Sequence, residues 1–273
     1  DFRGVEGVSR KLCEAGLLPA FNDYSSIARR VLKMKVEFQL TRDGNVEVSC
    51  DGSGFKPNAR GEYREDKYGD RTRKKFVKVT ISADPKKRKL LAVEVCLEGE
   101  GLSEPQVAAK HLREVTRAGK TVDKFYGDGA FDSRDLFNTL EELNIESAIK
   151  IRKNASTKAN GSLRRKREVK EYQEKGYTQW AKERDYGKRW TGTEGIFSAI
   201  KRKFGEKTRS KKLENTYTEL KQRFWAYDQL QQHGKNQTPK PNNTNKTTNY
   251  ATQQLVAKCR MPTASLSVMK YSE

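Results

Sequence analysis

Apolar residues recur at helical spacing from the start of the chain. Val5, Val8, Leu12 and Ala15 share one face and stop at Gly16, with Pro19 beyond, which predicts a first helix. Asn22-Asp23 supplies an N-cap for a second helix, where Ile27, Val31 and Met34 share a face and Arg29, Arg30 and Lys33 lie elsewhere. Helix, glycine-containing turn and basic helix is the order of a helix-turn-helix DNA reader, with Arg29 and Arg30 as contacts, and equally that of an ordinary helical hairpin. From Val36 the period changes to two: Val36, Phe38 and Leu40 alternate with polar residues, Arg42 to Asn45 reads as a turn, and Val46, Val48 and Cys50 alternate again. Strands Phe76 to Ser82 and Leu90 to Leu97 follow, separated by a turn at Asp84-Pro85, so three strands are expected as antiparallel neighbours.

Helix and strand then alternate: a helix around Pro105 to Ala118, a strand Thr121 to Tyr126, a helix Ser133 to Leu143 and a strand Glu146 to Ile151. Three antiparallel strands followed by two parallel ones with crossover helices predict an α/β protein, a mixed sheet flanked by helices in the ribonuclease-H-like layout. The pattern alone leaves other α/β folds open. It divides the chain into a helical region over 1–35, an α/β domain over 36–232 and a polar tail over 233–273. Within the domain, residues 152–188 carry Arg164-Arg165-Lys166-Arg167 and little apolar material, which predicts a basic insertion with some helix and no core segment. Helices Thr193 to Phe204 and about Asn215 to Leu230 present apolar faces through Ile196, Phe197 and Ile200, and through Leu220, Phe224 and Tyr227. After Gln231 the Asn, Thr, Gln, Lys and Pro content is too polar to offset ordering entropy, so a mobile tail is expected.

Composition narrows the partners. Of 273 residues, 56 are Lys or Arg and 36 Asp or Glu, a net charge of +20 that suits a polyanion. No run approaches the roughly 18 apolar residues of a membrane span, which excludes a membrane partner of that kind. The N-terminus lacks a secretory signal, and Cys13, Cys50, Cys96 and Cys259 form no close-spaced pair. Reduced thiols inside a cell are therefore expected. Asp1, standing where a Met would begin a chain, implies a missing N-terminal piece. With only two histidines, any metal would be held by oxygen ligands, which favours Mg2+ or Mn2+.

Three carboxylates supply such ligands. Asp51 is expected where an alternating strand ends in the Gly-rich bend Asp51-Gly52-Ser53-Gly54. Asp128, in Tyr126-Gly127-Asp128-Gly129, falls at the carboxyl end of the first parallel strand, where sites form in open α/β sheets. Glu194 falls in the first turn of an inward-packing helix. Each has a plainer reading, as a turn residue for the aspartates and as a helix-dipole partner for the glutamate. Carboxylates about 4 Å apart repel by about 4 kcal/mol at an effective dielectric near 20, so their convergence calls for a cation. Two divalent ions roughly 3.5 to 4 Å apart would serve in-line phosphodiester chemistry. Asp132 is read instead as a helix N-cap.

These residues resemble the DDE transposases of bacterial and archaeal insertion sequences, over roughly residues 1 to 232. The resemblance rests on Cys50-Asp51-Gly52-Ser53-Gly54, on Tyr126 to Asp132 and on Glu194 to Gly205, supported by Gly61-Glu62-Tyr63 and the basic run to Lys74-Lys75. Such enzymes often show Tyr, two residues, Arg, three residues, Glu, six residues, Lys. Here Tyr186 and Arg189 keep that spacing and Lys201 follows Glu194 by seven, but four residues separate Arg189 from Glu194. The resemblance implies a ribonuclease-H-like core, catalytic and metal-binding Asp51, Asp128 and Glu194, DNA contacts at Tyr186, Arg189 and Lys201, and two Mg2+ or Mn2+ ions. It implies cutting at the terminal inverted repeats of a mobile element, joining to target DNA by a homodimer, and residence in the cytoplasm or nucleoid of a prokaryote. A structure-selective nuclease and a non-catalytic, domesticated DNA binder remain as alternatives. Arg164 to Arg167, Lys201 to Lys212 and Lys86 to Lys89 are further candidate phosphate contacts, the last equally a hairpin tip, and Trp190 is either a base-stacking or a packing residue.

Overall fold

A computed structural model describes residues 1–38, 44–58 and 76–236. Helices α1 (Phe2–Glu14) and α2 (Tyr24–Lys33) come first. Asp23 caps α2 by accepting from the backbone N–H groups of Ser25 and Ser26. The connection over residues 15–23 is longer than the three- to four-residue turn of a helix-turn-helix, and Glu6 of α1 accepts from the N–H of Tyr24 at 3.0 Å. The pair is thus a hairpin with a long connection. Arg29 and Arg30 are exposed on α2.

The sheet contains β1 (Asn45–Phe55), β2 (Val77–Asp84), β3 (Lys89–Leu97), β4 (Thr121–Gly127) and β5 (Glu146–Ile149) in the order β3-β2-β1-β4-β5. β1 pairs antiparallel with β2, and β2 with β3, while β1–β4 and β4–β5 are parallel. Helix α3 (Glu104–Arg117) crosses over to β4, and α4 (Arg134–Glu142) from β4 to β5. This is the ribonuclease-H-like mixed sheet that the alternation predicts. Of the segment expected to alternate from Val36, residues 36–38 are irregular, and the rest, like Gly61-Glu62-Tyr63 and the run to Lys75, lies outside the described residues. A period of two over so few positions is equally satisfied by extended chain.

The pleat of β1 divides the core. Val46, Val48 and Cys50 face the layer of α3 and α4, where Leu112, Phe125, Phe137 and Leu140 are buried. Phe55, on the opposite face, joins Val79, Ile81, Ile196, Ile200 and Phe224. After α5 (Leu163–Glu183) and α6 (Lys188–Gly192), that second layer is built by α7 (Glu194–Phe204) and α8 (Leu213–Asn236), whereas Val169 of α5 joins the first layer. α8 runs past the position 233 expected to begin the tail; residues 237–273 lie outside the described residues.

Residues 152–188 are more than a basic insertion. Val169 and Trp180 of α5 are buried, and Trp180 packs with Tyr126 and Tyr186. The basic cluster turns partly inward. Arg164 donates to the carbonyl of Ile145, and Arg165 grips Asp132, whose side chain has no exposed area, through Nε at 2.6 Å. Asp132 is therefore an ion-pair partner, not an N-cap; Ser133 caps α4. We expect Arg165→Met to destabilise the fold by about 3–5 kcal/mol, because it strands a buried carboxylate. Adding Asp132→Asn should recover much of that loss in urea denaturation. A single-variant loss below about 1 kcal/mol would mean the pair behaves as a solvated surface bridge.

Candidate active site

The parallel pairing of β1 with β4 sets two aspartates side by side. Its last pair is Ser49 with Tyr126, and two residues beyond each lie Asp51 and Asp128. β1 does not bend at Asp51, as the glycines suggested; it continues to Phe55, paired with β2 alone. Beside Gly52 lies Glu104, whose Oε1 pairs with Lys78 at 2.7 Å across the strand. Asp128 leaves β4 and caps a single 3-10 turn over Gly129–Phe131, accepting from the N–H of Ala130 at 2.8 Å. Asp51 Oδ1 accepts from the N–H of Gly52 at 2.8 Å, so one oxygen of each aspartate is fixed by backbone.

Glu194 is the first residue of α7. Its position follows from α6, which presses against the sheet so closely that a Cβ on Gly192 would lie 2.9 Å from Pro85 and 3.0 Å from Ser49. The carbonyl of Arg189 accepts from Ser49 Oγ at 3.4 Å and from Thr193 Oγ1 at 3.2 Å, tying the helix junction to β1. From that anchor the Arg189 guanidinium spans two of the acids, with Nη1 3.6 Å from Asp51 Oδ2 and Nη2 3.3 Å from Glu194 Oε1.

The electrostatics are those of a crowded acidic site. Burial, opposed by the Gly52 N–H and by Arg189 and reinforced by the charges of Asp128 and Glu194, pushes the Asp51 carboxyl up to about 6. Asp51, Glu194 and Lys201 line a groove of about 510 Å3 together with Gly52, Ser53 and Phe197. Lys201 lies two turns along α7 from Glu194, its Nζ 3.4 Å from Glu206.

Two expected DNA contacts are placed otherwise. Tyr186 is 3% exposed and donates its hydroxyl to the carbonyl of Gly127 at 3.2 Å, so it braces the strand end carrying Asp128. Its apolar ring fills the cluster around Trp180, which a sequence spacing does not reveal. Arg189, 8% exposed, faces carboxylates. Trp190 is exposed, with the Arg189 guanidinium carbon 4.9 Å from its ring centroid. Spacing alone missed Arg152, whose Nε donates to the carbonyl of Gly129 at 2.7 Å and clamps the turn after Asp128.

A sequence model described as Transposase DDE domain matches residues 43–228, which include all three acids. The chain belongs to this transposase family. Among solved structures it is similar to the Mos1 transposase catalytic domain with raltegravir and magnesium, at 13% identity over 67% of this chain and 82% of that one, with a TM-score of 0.28. It is similar also to a simian T-cell lymphotropic virus intasome (10%, 91% and 79%, TM-score 0.32) and to a piggyBac transposase synaptic complex with hairpin DNA (11%, 80% and 62%, TM-score 0.27). The assignment rests on the family match.

Whether this transposase domain fits divalent ions is a question of donors. Asp51, Asp128 and Glu194 offer carboxylate oxygens alone, the chemistry of Mg2+ or Mn2+, and Asp51 is raised first by burial, with the charges of Asp128 and Glu194 adding to it. Among the described residues, no three acidic, histidine or cysteine side chains stand close enough as they are to hold one ion. A cationic guanidinium lies between two of the three instead.

The shift on Asp51 has a sign that stability measurements can read. A carboxyl whose folded pKa is raised binds more protons folded than unfolded, so wild-type stability falls as pH rises from about 4 to 6 and the penalty persists above. In metal-free buffer Asp51→Asn is expected to match wild type near pH 4 and to exceed it by about 2–3 kcal/mol at pH 8. An advantage that does not grow over that interval would contradict the crowded-acid reading.

Proposed function

We propose that the protein is a DNA transposase in which Asp51, Asp128 and Glu194 hold two divalent ions, Mg2+ or Mn2+, for cleavage at the ends of a mobile element and strand transfer into target DNA. What supports this reading is the family match over residues 43–228, together with a parallel β1–β4 pairing that ends two residues before Asp51 and Asp128 and the Arg189 guanidinium that bridges Asp51 to Glu194. When bound, the ions would supply activation of the attacking oxygen and stabilisation of the leaving one.

The chain's own residues supply position and charge. Backbone N–H groups fix one oxygen of each aspartate, leaving the other for a ligand. Lys201 stands beside the acids in the same groove, and Lys56 and Lys78 line its continuation across β1, where a phosphodiester backbone can run. With a net charge of +20, such contact is strongly salt-dependent; a protein touching about 6–10 phosphates loses about 10³–10⁵ in affinity between 50 and 200 mM salt. The exposed Arg29 and Arg30 on α2 are further candidates for the duplex beyond the cut. Bringing two element ends together calls for two active sites, hence a homodimer on DNA.

The test combines activity with binding. Asp51→Asn, Asp128→Asn and Glu194→Gln are each expected to lower Mg2+-dependent cleavage by at least about 10³ while changing DNA affinity by less than about threefold. Cleavage surviving in any one of them removes that residue from the metal site. Pre-cut 3′-hydroxyl ends offered with a supercoiled target should give joined product; cleavage without joining would identify a structure-selective nuclease instead.

A further inference from the structure

The Arg189 side chain occupies an unusual place. Its backbone is immobilised, because its carbonyl accepts from Ser49, from the Thr193 hydroxyl and from the Thr193 N–H at 3.3 Å, and its N–H donates to Tyr186 at 3.2 Å. Its guanidinium is nearly buried, yet Nε has no hydrogen-bond partner. Its ion-pair distances to Asp51 and Glu194, 3.6 and 3.3 Å, exceed the roughly 2.7–2.9 Å of a well-formed charge-assisted hydrogen bond. An arginine built to stay would satisfy its five donors; this one leaves a donor orphaned and holds its acids loosely. The guanidinium carbon also lies 5.8 Å from the buried Tyr186 ring and 4.9 Å from the exposed ring of Trp190, the latter a face on which a planar cation can rest without leaving the junction.

We infer that Arg189 is the resident counter-cation of this acidic site, bridging Asp51 and Glu194 in the metal-free protein and yielding that position as divalent ions load. The inference rests on the reading of those carboxylates as metal ligands. Its physical basis is competition between charges. Without a cation, acids sharing a half-buried site repel, and the guanidinium relieves this while the protein is free of metal. A divalent ion at the same oxygens meets the guanidinium as a like charge a few ångströms away, so loading favours the arginine's displacement towards Trp190 or a DNA phosphate. Arg189 is in this sense a positioning residue that opposes metal entry.

Titration of the full chain with Mn2+ alone, read by loss of the free-ion paramagnetic resonance signal, tests this directly. Arg189→Met is expected to tighten Mn2+ binding by at least about tenfold, and Arg189→Lys, which keeps the charge, by less than about threefold. The same Met variant should melt at a lower temperature than wild type without metal and regain the difference when Mn2+ is added. Unchanged or weaker Mn2+ binding in folded Arg189→Met overturns the inference, as does equal tightening by Lys and Met. Should Arg189→Met fail to fold, the wild-type protein carries the test through its Arg189 Nε–Hε nuclear magnetic resonance signal, assigned by its loss in Arg189→Lys. That signal is expected to move on Mg2+ saturation, and a signal unmoved while Mg2+ binds overturns the inference. Mn2+ binding that Asp51→Asn abolishes but Arg189→Met leaves alone removes only the role of Arg189. Absence of binding in wild type and every variant removes the metal-ligand reading too.

Discussion

The parallel pairing of β1 with β4 is the constraint on which the site depends. Antiparallel neighbours would carry their carboxyl ends to opposite edges of the sheet, whereas a parallel pair in register delivers both to one edge. Val46, Val48 and Phe125 enforce the register, because a one-residue slip would turn the buried side chains of β1 into the opposite layer. The bulge between Val46 and Glu47 adjusts the pairing so that Ser49 meets Tyr126, with Asp51 and Asp128 each two residues further on. Core packing and chemistry are thus joined through one strand: its even positions hold the α3–α4 layer, and its odd positions face the α6–α7 junction.

Gathering acids at that edge opposes folding, and the surroundings show how the opposition is met. Backbone N–H groups of Gly52 and Ala130 each give an aspartate a neutral donor, and Arg189 gives a charge. These do not cancel the desolvation of Asp51, which stays well above the usual carboxylate range. The contrast with Asp132 is instructive. That carboxylate is more deeply buried, yet it is gripped by two nitrogens of Arg165 at 2.6 and 3.1 Å and by the N–H of Arg152 at 3.2 Å. One acid is matched by its partners and the other is left short of donors.

The main strands and helices were legible because their periodicities run over many residues and because Gly, Asp and Ser mark their ends, as at Asp23 and Ser103. The three acids stood out as candidates because each sits beside glycine or at a helix start, positions that place a side chain at an edge. Less legible were side chains whose role is fixed by distant partners. Arg164 and Arg165 read as surface charge, yet their partners Ile145 and Asp132 lie far back in the chain. Tyr186 read as a DNA contact because its spacing to Arg189 fits a motif, but its depth depends on Trp180 and Tyr126. Tertiary contact, absent from any local window, decides such cases.

The extra residue between Arg189 and Glu194 shows how geometry can absorb a departure from a spacing. On an unbroken helix, residues five apart point roughly 140° away from each other, so Arg189 and Glu194 would not meet. The helix is broken between them: α6 ends at Gly192, and Thr193, at φ −122° and ψ −56°, resets the direction before α7 begins at Glu194. Thr193 is wholly buried, and its hydroxyl and N–H both return to the Arg189 carbonyl, so the break is held in place rather than loose. Gly192 allows it, being the only residue type that fits against Pro85 and Ser49 without displacing the junction. With the break in place, Glu194 opens α7 and the Arg189 guanidinium reaches both Glu194 and Asp51. The helix that carries Glu194 and Lys201 keeps its own internal register.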